Sequence, residues 1–283
     1  MTNPTTPETF HGLIRLPWFD DGLTMIRSHR FSCFVSPPCT GKTSFAFAAA
    51  QELTNKSPVV LPGSPEVELA HVFGHYIWTG NETRFVDGCL PLALKTAAKT
   101  GGCVLLVEEA GVIPLEVRAA FLALRGASQI TNPQNGEVLD VPADSDSNCG
   151  LKVVFTSNPE SLRCRQSHMA GIAKALWDDF VCYECPPISD RDAKRFLRHQ
   201  YPQATAKRIN RAMALWKDMR KVKSSRANAD ASGHLTYRAC AHLLGLLEAG
   251  MNEDVAVRVS LVGKLMMLDE DLYSVAKLKA TIA

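Results

Sequence analysis

Eight consecutive residues, Ser36-Pro37-Pro38-Cys39-Thr40-Gly41-Lys42-Thr43, hold the densest chemistry in this sequence. They fit the phosphate-loop pattern G-x-x-x-x-G-K-[ST], with Ser36 where the first glycine usually stands. In such a loop backbone N–H groups wrap phosphate oxygens, the lysine reaches the β/γ oxygens and the hydroxyl ligates Mg²⁺. Pro38, Cys39, Thr40, Gly41, Lys42, Thr43 and Ser44 are therefore the expected nucleotide cradle, with Thr43 also on the metal. The alternative is a chance loop, since the motif is short and one glycine is missing.

Two further clusters complete a reaction centre. Glu108 and Glu109 end the apolar run Gly102-Cys103-Val104-Leu105-Leu106-Val107. Burying carboxylates is costly without compensation. Beside a phosphate loop the compensation is chemical: Glu108 holds Mg²⁺, usually through water, and Glu109 orients or deprotonates the attacking water. The competing reading is a pair of solvated strand-end acids. Thr156-Ser157-Asn158-Pro159 closes another apolar run. Its uncharged Asn158 amide could point at the γ-phosphate and the water, although Asn-Pro also starts turns unaided.

These groups need strands behind them and helices between. Phe31–Val35 reads as the first strand and Val59–Pro62 as a short second one. Gly102–Val107 follows, a continuous apolar run of the kind buried on both faces of a parallel sheet, then Leu151–Thr156 as another run and Phe180–Cys185 as a fifth strand. Helical patterns at Ser44–Leu53, Leu90–Thr100, Leu115–Arg125 and Gly171–Trp177 alternate with them. The expectation is an α/β fold, a P-loop core whose parallel sheet is flanked by helices, with ligand at the carboxyl ends of the strands. Beyond Pro186-Pro187 the strand signal stops. Asp190–Tyr201, Ala204–Lys221, Thr236–Ala249 and Asn252–Met267 are helical in period, and residues 224–233 form a polar linker. The domain reading is a lead-in over 1–30, an α/β nucleotide-binding core over 31–187 and an all-helical lid over 188–283.

Composition excludes several classes. Apolar content of 46% and charged content of 21% fit a soluble protein with a full core. A net charge of +2 demands neither nucleic acid nor an anionic membrane. No apolar run approaches the roughly 20 residues that span a bilayer, and the N-terminus lacks the basic and apolar regions of a secretory signal. Nine cysteines, several within apolar strings, read as reduced core residues of a cytoplasmic protein. The CxxC at Cys182–Cys185 permits half a zinc site or a redox pair, but no second such pair accompanies it.

In its motifs and their order the chain resembles an AAA+ ATPase of the MoxR type, near the CbbQ/NorQ branch, from about Phe31 to Leu247. Ser36–Thr43 resembles Walker A, Val104–Glu109 Walker B, and Asn158 falls at sensor 1. Glu68–Gly74 resembles the segment after the family's second strand, and Phe85–Ala93 its D-G-x-L-x-x-A signature. Gly136–Leu139 through Pro159 resembles its hairpin leading into sensor 1. Leu235-Thr236-Tyr237-Arg238 resembles the sensor 2 motif, making Arg238 the lid cation. The resemblance implies ATP and Mg²⁺ as cofactors, Glu109, Asn158 and Arg238 as catalytic groups, and a hexameric ring. It also implies a protein client, with a von Willebrand A-domain partner common in the family.

Three departures qualify that picture. Glu108 replaces the usual Asp, pushing the carboxylate outward by a methylene. Ser36 replaces glycine, which requires that its φ not be strongly positive. Asp179 stands where the family presents an arginine finger, so either another arginine serves, with Arg163 and Arg165 nearest, or hydrolysis is weak. Two other readings stay open: an AAA+ machine acting on DNA or RNA, and a nucleotide-gated scaffold with little hydrolysis. The basic run Lys217, Arg220, Lys221, Lys223 and Arg226 is either a phosphate contact or, more simply, a solvated helix end. His71, His75 and His168 show no metal-binding spacing. Phe73, Tyr76 and Trp78 are either core residues or, by the resemblance, aromatics facing the pore of a ring.

Overall fold

The computed structural model describes residues 9–145, 148–158, 180–221 and 235–266. The chain divides into two compact units, Met1–Pro187 and Ile188–Ala283.

In the first unit the apolar runs pair as one parallel sheet. Short β1 (Thr9–Phe10) and β2 (Leu13–Ile14) lead into α1 (Phe19–Ser28), and then come β3 (Phe31–Val35), α2 (Lys42–Thr54) and β4 (Val59–Leu61). After α3 (Leu69–Phe73), strands β5 (Gly74–Trp78) and β6 (Thr83–Asp87) form an antiparallel hairpin. Next are α4 (Cys89–Thr100), β7 (Gly102–Val107) and α5 (Leu115–Ala119), which tightens into a 3₁₀ turn over Ala120–Leu124. A further hairpin, β8 (Gln129–Thr131) with β9 (Val138–Asp140), precedes β10 (Gly150–Ser157) and β11 (Val181–Glu184). The five-stranded sheet has the order β11-β3-β10-β7-β4, with every pairing parallel. All five strands expected from the sequence are in it. The helix expected at Gly171–Trp177 lies outside the described residues.

Alternation along each strand assigns the two faces. Leu105, Val107, Val153 and Phe155 share a core with Leu90 and Leu94 of α4 and with Val117 and Phe121. On the other face Phe34 meets Phe45 of α2, with ring centroids 5.2 Å apart. Here the segment read as a lead-in contributes to the unit. Trp18 and Phe19 lie 4.7 and 4.8 Å from Phe45, and both are buried with Phe10. Aromatic side chains bury 150–250 Å² each, so Thr9–Ser28 is seated on this face rather than trailing from it.

The hairpins are pinned to the core by single polar residues. Asn132, fully buried, donates from Nδ2 to the Phe73 carbonyl at 2.9 Å. Lys95 bridges Asp87 and Glu137 at 2.8 and 2.9 Å. Phe73 is a core residue, whereas Tyr76 and Trp78 are 57% and 71% exposed, which separates the aromatics of that segment. His71 accepts from the Glu68 N–H at 3.0 Å within a capping box, so its ring serves the helix start.

The second unit is helical: α6 (Asp190–Gln200), α7 (Ala206–Arg220), α8 (Tyr237–Glu248), α9 (Glu253–Val257) and α10 (Gly263–Met266). Ser189, Thr205 and Asn252 cap three of these through their side chains. Leu197, Met213, Trp216, Leu244 and Leu261 form the core. The sequence reads as a single helix over Asn252–Met267, but Arg258–Val262 widens into a π turn between α9 and α10. Ser260 bonds back to the Ala256 carbonyl at 2.6 Å there, a bond that competes with the helical ladder. Among the described residues no helix is long and apolar enough to cross a membrane.

Candidate functional site

The phosphate loop leaves β3 at Ser36 and enters α2 at Lys42. Ser36 stays in the sheet ladder, its N–H donating to the Ser157 carbonyl at 3.2 Å. Its φ is not in the left-handed region; within the loop Cys39 (φ 68°) and Gly41 (φ 91°) take that conformation. A side chain at position 36 is therefore tolerated. It is also used: the buried Ser36 hydroxyl bonds to that of Thr40 and receives a Lys42 Nζ bond at 3.1 Å. Gly41 needs its missing Cβ to turn the chain, and its carbonyl accepts the Phe45 N–H at 2.8 Å, opening the helix. Pro38 has no N–H, so amide donation falls to Cys39 through Ser44.

Lys42 is only 6% exposed. Its ammonium donates to the carbonyls of Ser36 (2.7 Å) and Pro37 (3.2 Å) and to Asn158 Oδ1 (3.3 Å). Burial lowers its pKa, and the negative charge of Glu109 opposes that shift.

The acid pair sits on a turn held from two sides. The Glu108 N–H donates to the Leu61 carbonyl at 3.0 Å, and the Ala110 N–H to the Thr156 carbonyl at 2.8 Å. The Glu109 and Gly111 amides donate to the hydroxyls of Thr156 and Ser157 at 3.3 and 3.2 Å. This clamp keeps Glu109 at φ 43°, a conformation that costs a non-glycine residue about 1 kcal/mol or more. The strained position is the one to which the sequence assigns the water-handling carboxylate.

Asn158 joins the clusters. Its Nδ2 donates to Glu109 Oε2 at 3.0 Å while its Oδ1 accepts from Lys42. The amide is thus committed to two side chains of the site, in addition to its place after the last core strand. Gly63 is a residue the sequence reading passed over. A Cβ there would lie 2.2 Å from the Glu108 carbonyl oxygen and 2.9 Å from Glu109 Cβ, so the chain after β4 packs directly on the acid turn. A Pro-Gly pair reads as a turn in sequence, and nothing local tells what it packs against.

Thr43 and Ser44 lie in the first turn of α2, Thr43 half-buried and Ser44 exposed. No cluster of three or more His, Cys, Asp or Glu side chains able to hold a metal occurs among the described residues. Mg²⁺ typically takes few protein ligands and completes its shell with water and phosphate oxygens, so a hydroxyl and one carboxylate, Thr43 and Glu108, suit it. Arg238 is exposed in the first turn of α8, in the second unit. Arg163, Arg165, His168 and Asp179 lie outside the described residues, as do Lys223 and Arg226. The rest of that basic run has partners within the second unit: Lys217 with Asp190, Lys221 with Asp218 at 3.1 Å, and Arg220 over the Trp216 ring at 4.8 Å.

A protein-family model described as AAA domain, dynein-related subfamily, matches residues 32–178, from β3 through the region after Asn158. Among solved structures the chain is similar to NtrX from Brucella abortus, with a TM-score of 0.47 and 15% identity over 84% of this chain and 51% of that one. The chain spans about half the length of NtrX. A proposed ATPase from Cytophaga hutchinsonii gives a TM-score of 0.46 and 14% identity over 90% of this chain and 77% of that one. No curated protein sequence gives a significant match.

Proposed function

The chain belongs to the AAA domain family, dynein-related subfamily, and from that premise we propose that it is a Mg²⁺-dependent ATPase that remodels or activates a protein client. The observation that carries the reading is the run of hydrogen bonds from Lys42 through Asn158 to Glu109. It ties the phosphate-loop cation to the strained carboxylate through a neutral amide. Such an amide can sense what Lys42 binds and set where Glu109 points.

In this reading the Cys39–Ser44 amides and Lys42 bind the phosphates, and Thr43 and Glu108 hold the metal, which supplies Lewis-acid charge neutralisation when bound. Glu109 then orients the water and accepts its proton. Asn158 holds that carboxylate in place and releases Lys42 to the ligand. Arg238 is assigned as the second unit's phosphate-facing cation on the Leu235–Arg238 resemblance alone. The MoxR-type resemblance adds the finer proposals: a hexameric ring in the cytoplasm and a client engaged together with a von Willebrand A-domain protein. The exposed Tyr76 and Trp78 on the β5–β6 hairpin are the side chains of this unit best suited to grip a polypeptide.

Steady-state phosphate release tests the core of the proposal. Glu109→Gln is expected to abolish turnover while ATP binding persists, and Lys42→Ala to lose both. Turnover unchanged in Glu109→Gln, or a folded wild-type chain that binds no nucleotide, would reject it. A pull-down with Glu109→Gln in ATP then tests the client and the ring.

A further inference from the structure

Cys182 is half of the CxxC visible in sequence, but its structural neighbour is a different cysteine. Strand β11 pairs in parallel with β3, and the register sets Cys182 directly opposite Cys33. Register partners share a face of the sheet, and each thiol shifts the ionisation of the other. Adjacent strands run about 4.8 Å apart, within the roughly 4.4–6.8 Å Cα separation that disulfides span. Cys185, three residues along extended chain, stands about 10 Å away and on the opposite face, and it is buried. The CxxC is therefore not the pair.

We propose that Cys33 and Cys182 are an oxidant-sensitive pair that closes reversibly to a disulfide when the protein meets hydrogen peroxide, a switch set at the base of the phosphate loop. The placement of the two sulfurs gives each a role. β11 is at the edge of the sheet and Cys182 is exposed, whereas Cys33 is fully buried beneath it. The neighbouring Cys33 lowers the Cys182 pKa, favouring the thiolate that attacks peroxide, while the same pairing and burial raise that of Cys33, which stays a thiol. Attack of the Cys182 thiolate on one peroxide oxygen breaks the O–O bond, giving a sulfenic acid and, after protonation, water. The Cys33 sulfur then displaces the sulfenic oxygen as a second water. Two thiols and one peroxide thus yield one disulfide and two waters.

The bond has a mechanical consequence. Disulfide Cβ atoms lie about 3.8 Å apart, closer than the strand spacing, so closure draws β11 toward β3 only three residues before Ser36. Lys42 already lies within electrostatic reach of Cys33 and Cys185, so the strain enters beside the residue that holds phosphate.

The test treats the full native chain with hydrogen peroxide, traps free thiols with N-ethylmaleimide and maps the digest by mass spectrometry. A peptide joining Cys33 to Cys182 is expected, reversed by dithiothreitol and absent in Cys182→Ser, whose exposed site tolerates the change. Phosphate release is expected to fall about tenfold on oxidation, as sub-ångström shifts of a catalytic loop do, and to recover on reduction. Only this second readout rests on the proposed ATPase function. A folded, oxidised chain with Cys182 carried to sulfinic acid, or joined to Cys185 or another thiol, would overturn the pairing. A linked peptide with undiminished release would overturn the coupling to the loop.

Discussion

Replacing Gly63 by alanine adds one methyl group and tests whether the acid turn is positioned by the chain behind it. The new Cβ would sit 2.2 Å from the Glu108 carbonyl oxygen and 2.9 Å from both Glu109 Cβ and the Glu109 carbonyl oxygen. Unstrained C···O contacts lie near 3.3 Å, so the overlap is about 1 Å. A flexible side chain could swing away, but the nearest of these neighbours is backbone. The Glu108 N–H is bonded to the Leu61 carbonyl at 3.0 Å, so the two segments cannot separate without losing that bond. Overpacking of this kind costs about 2 kcal/mol, which for a unit of this size lowers Tm by about 4–8 °C. The larger effect falls on chemistry, because a 1 Å misplacement of a catalytic group costs about 100-fold in rate. Thermal denaturation, nucleotide binding and phosphate release measured together separate these effects. The expected Gly63→Ala chain is folded, binds ATP and turns over about 100-fold more slowly. Wild-type Tm together with wild-type turnover would refute the claim that Gly63 packing fixes Glu109.

Asn158→Ala removes the amide between Lys42 and Glu109; kcat is expected to fall by at least about tenfold with ATP affinity little changed, since a charge-assisted hydrogen bond is worth about 1.5–3 kcal/mol. An unchanged kcat would deny Asn158 its bridging role. Away from the site, Lys152 is 1% exposed and donates to the Arg27 carbonyl and to Asp144. Asp144→Ala leaves that buried ammonium short of its counter-charge and is expected to destabilise by about 1–3 kcal/mol, whereas Lys152→Met should be nearer neutral. Urea melts rank the two, and the reverse order would sink the argument.

Sequence alone determined whatever depends on neighbours along the chain. Ser36–Thr43 carries its loop chemistry in eight residues, and β7 announces burial on both faces by an unbroken apolar run, as β10 does apart from Lys152. The helical periods after Pro187 mark a second kind of architecture. Even there the helix is not continuous where Ser260 turns back on Ala256, because periodicity does not distinguish an α turn from a π turn.

What joins residues distant in the chain was decided by tertiary structure. Asn158 meets Lys42 across 116 positions and Glu109 across 49. Nothing local states that an amide after one strand will span the ends of two others. Gly63 reads as an ordinary turn until the sheet order lays β4 beside β7. The CxxC pointed Cys182 at Cys185, and parallel register gave it Cys33 instead. Residue type and spacing fix which groups a chain can offer. Only strand order and register, chosen by burying both faces of the sheet at once, fix which of them touch.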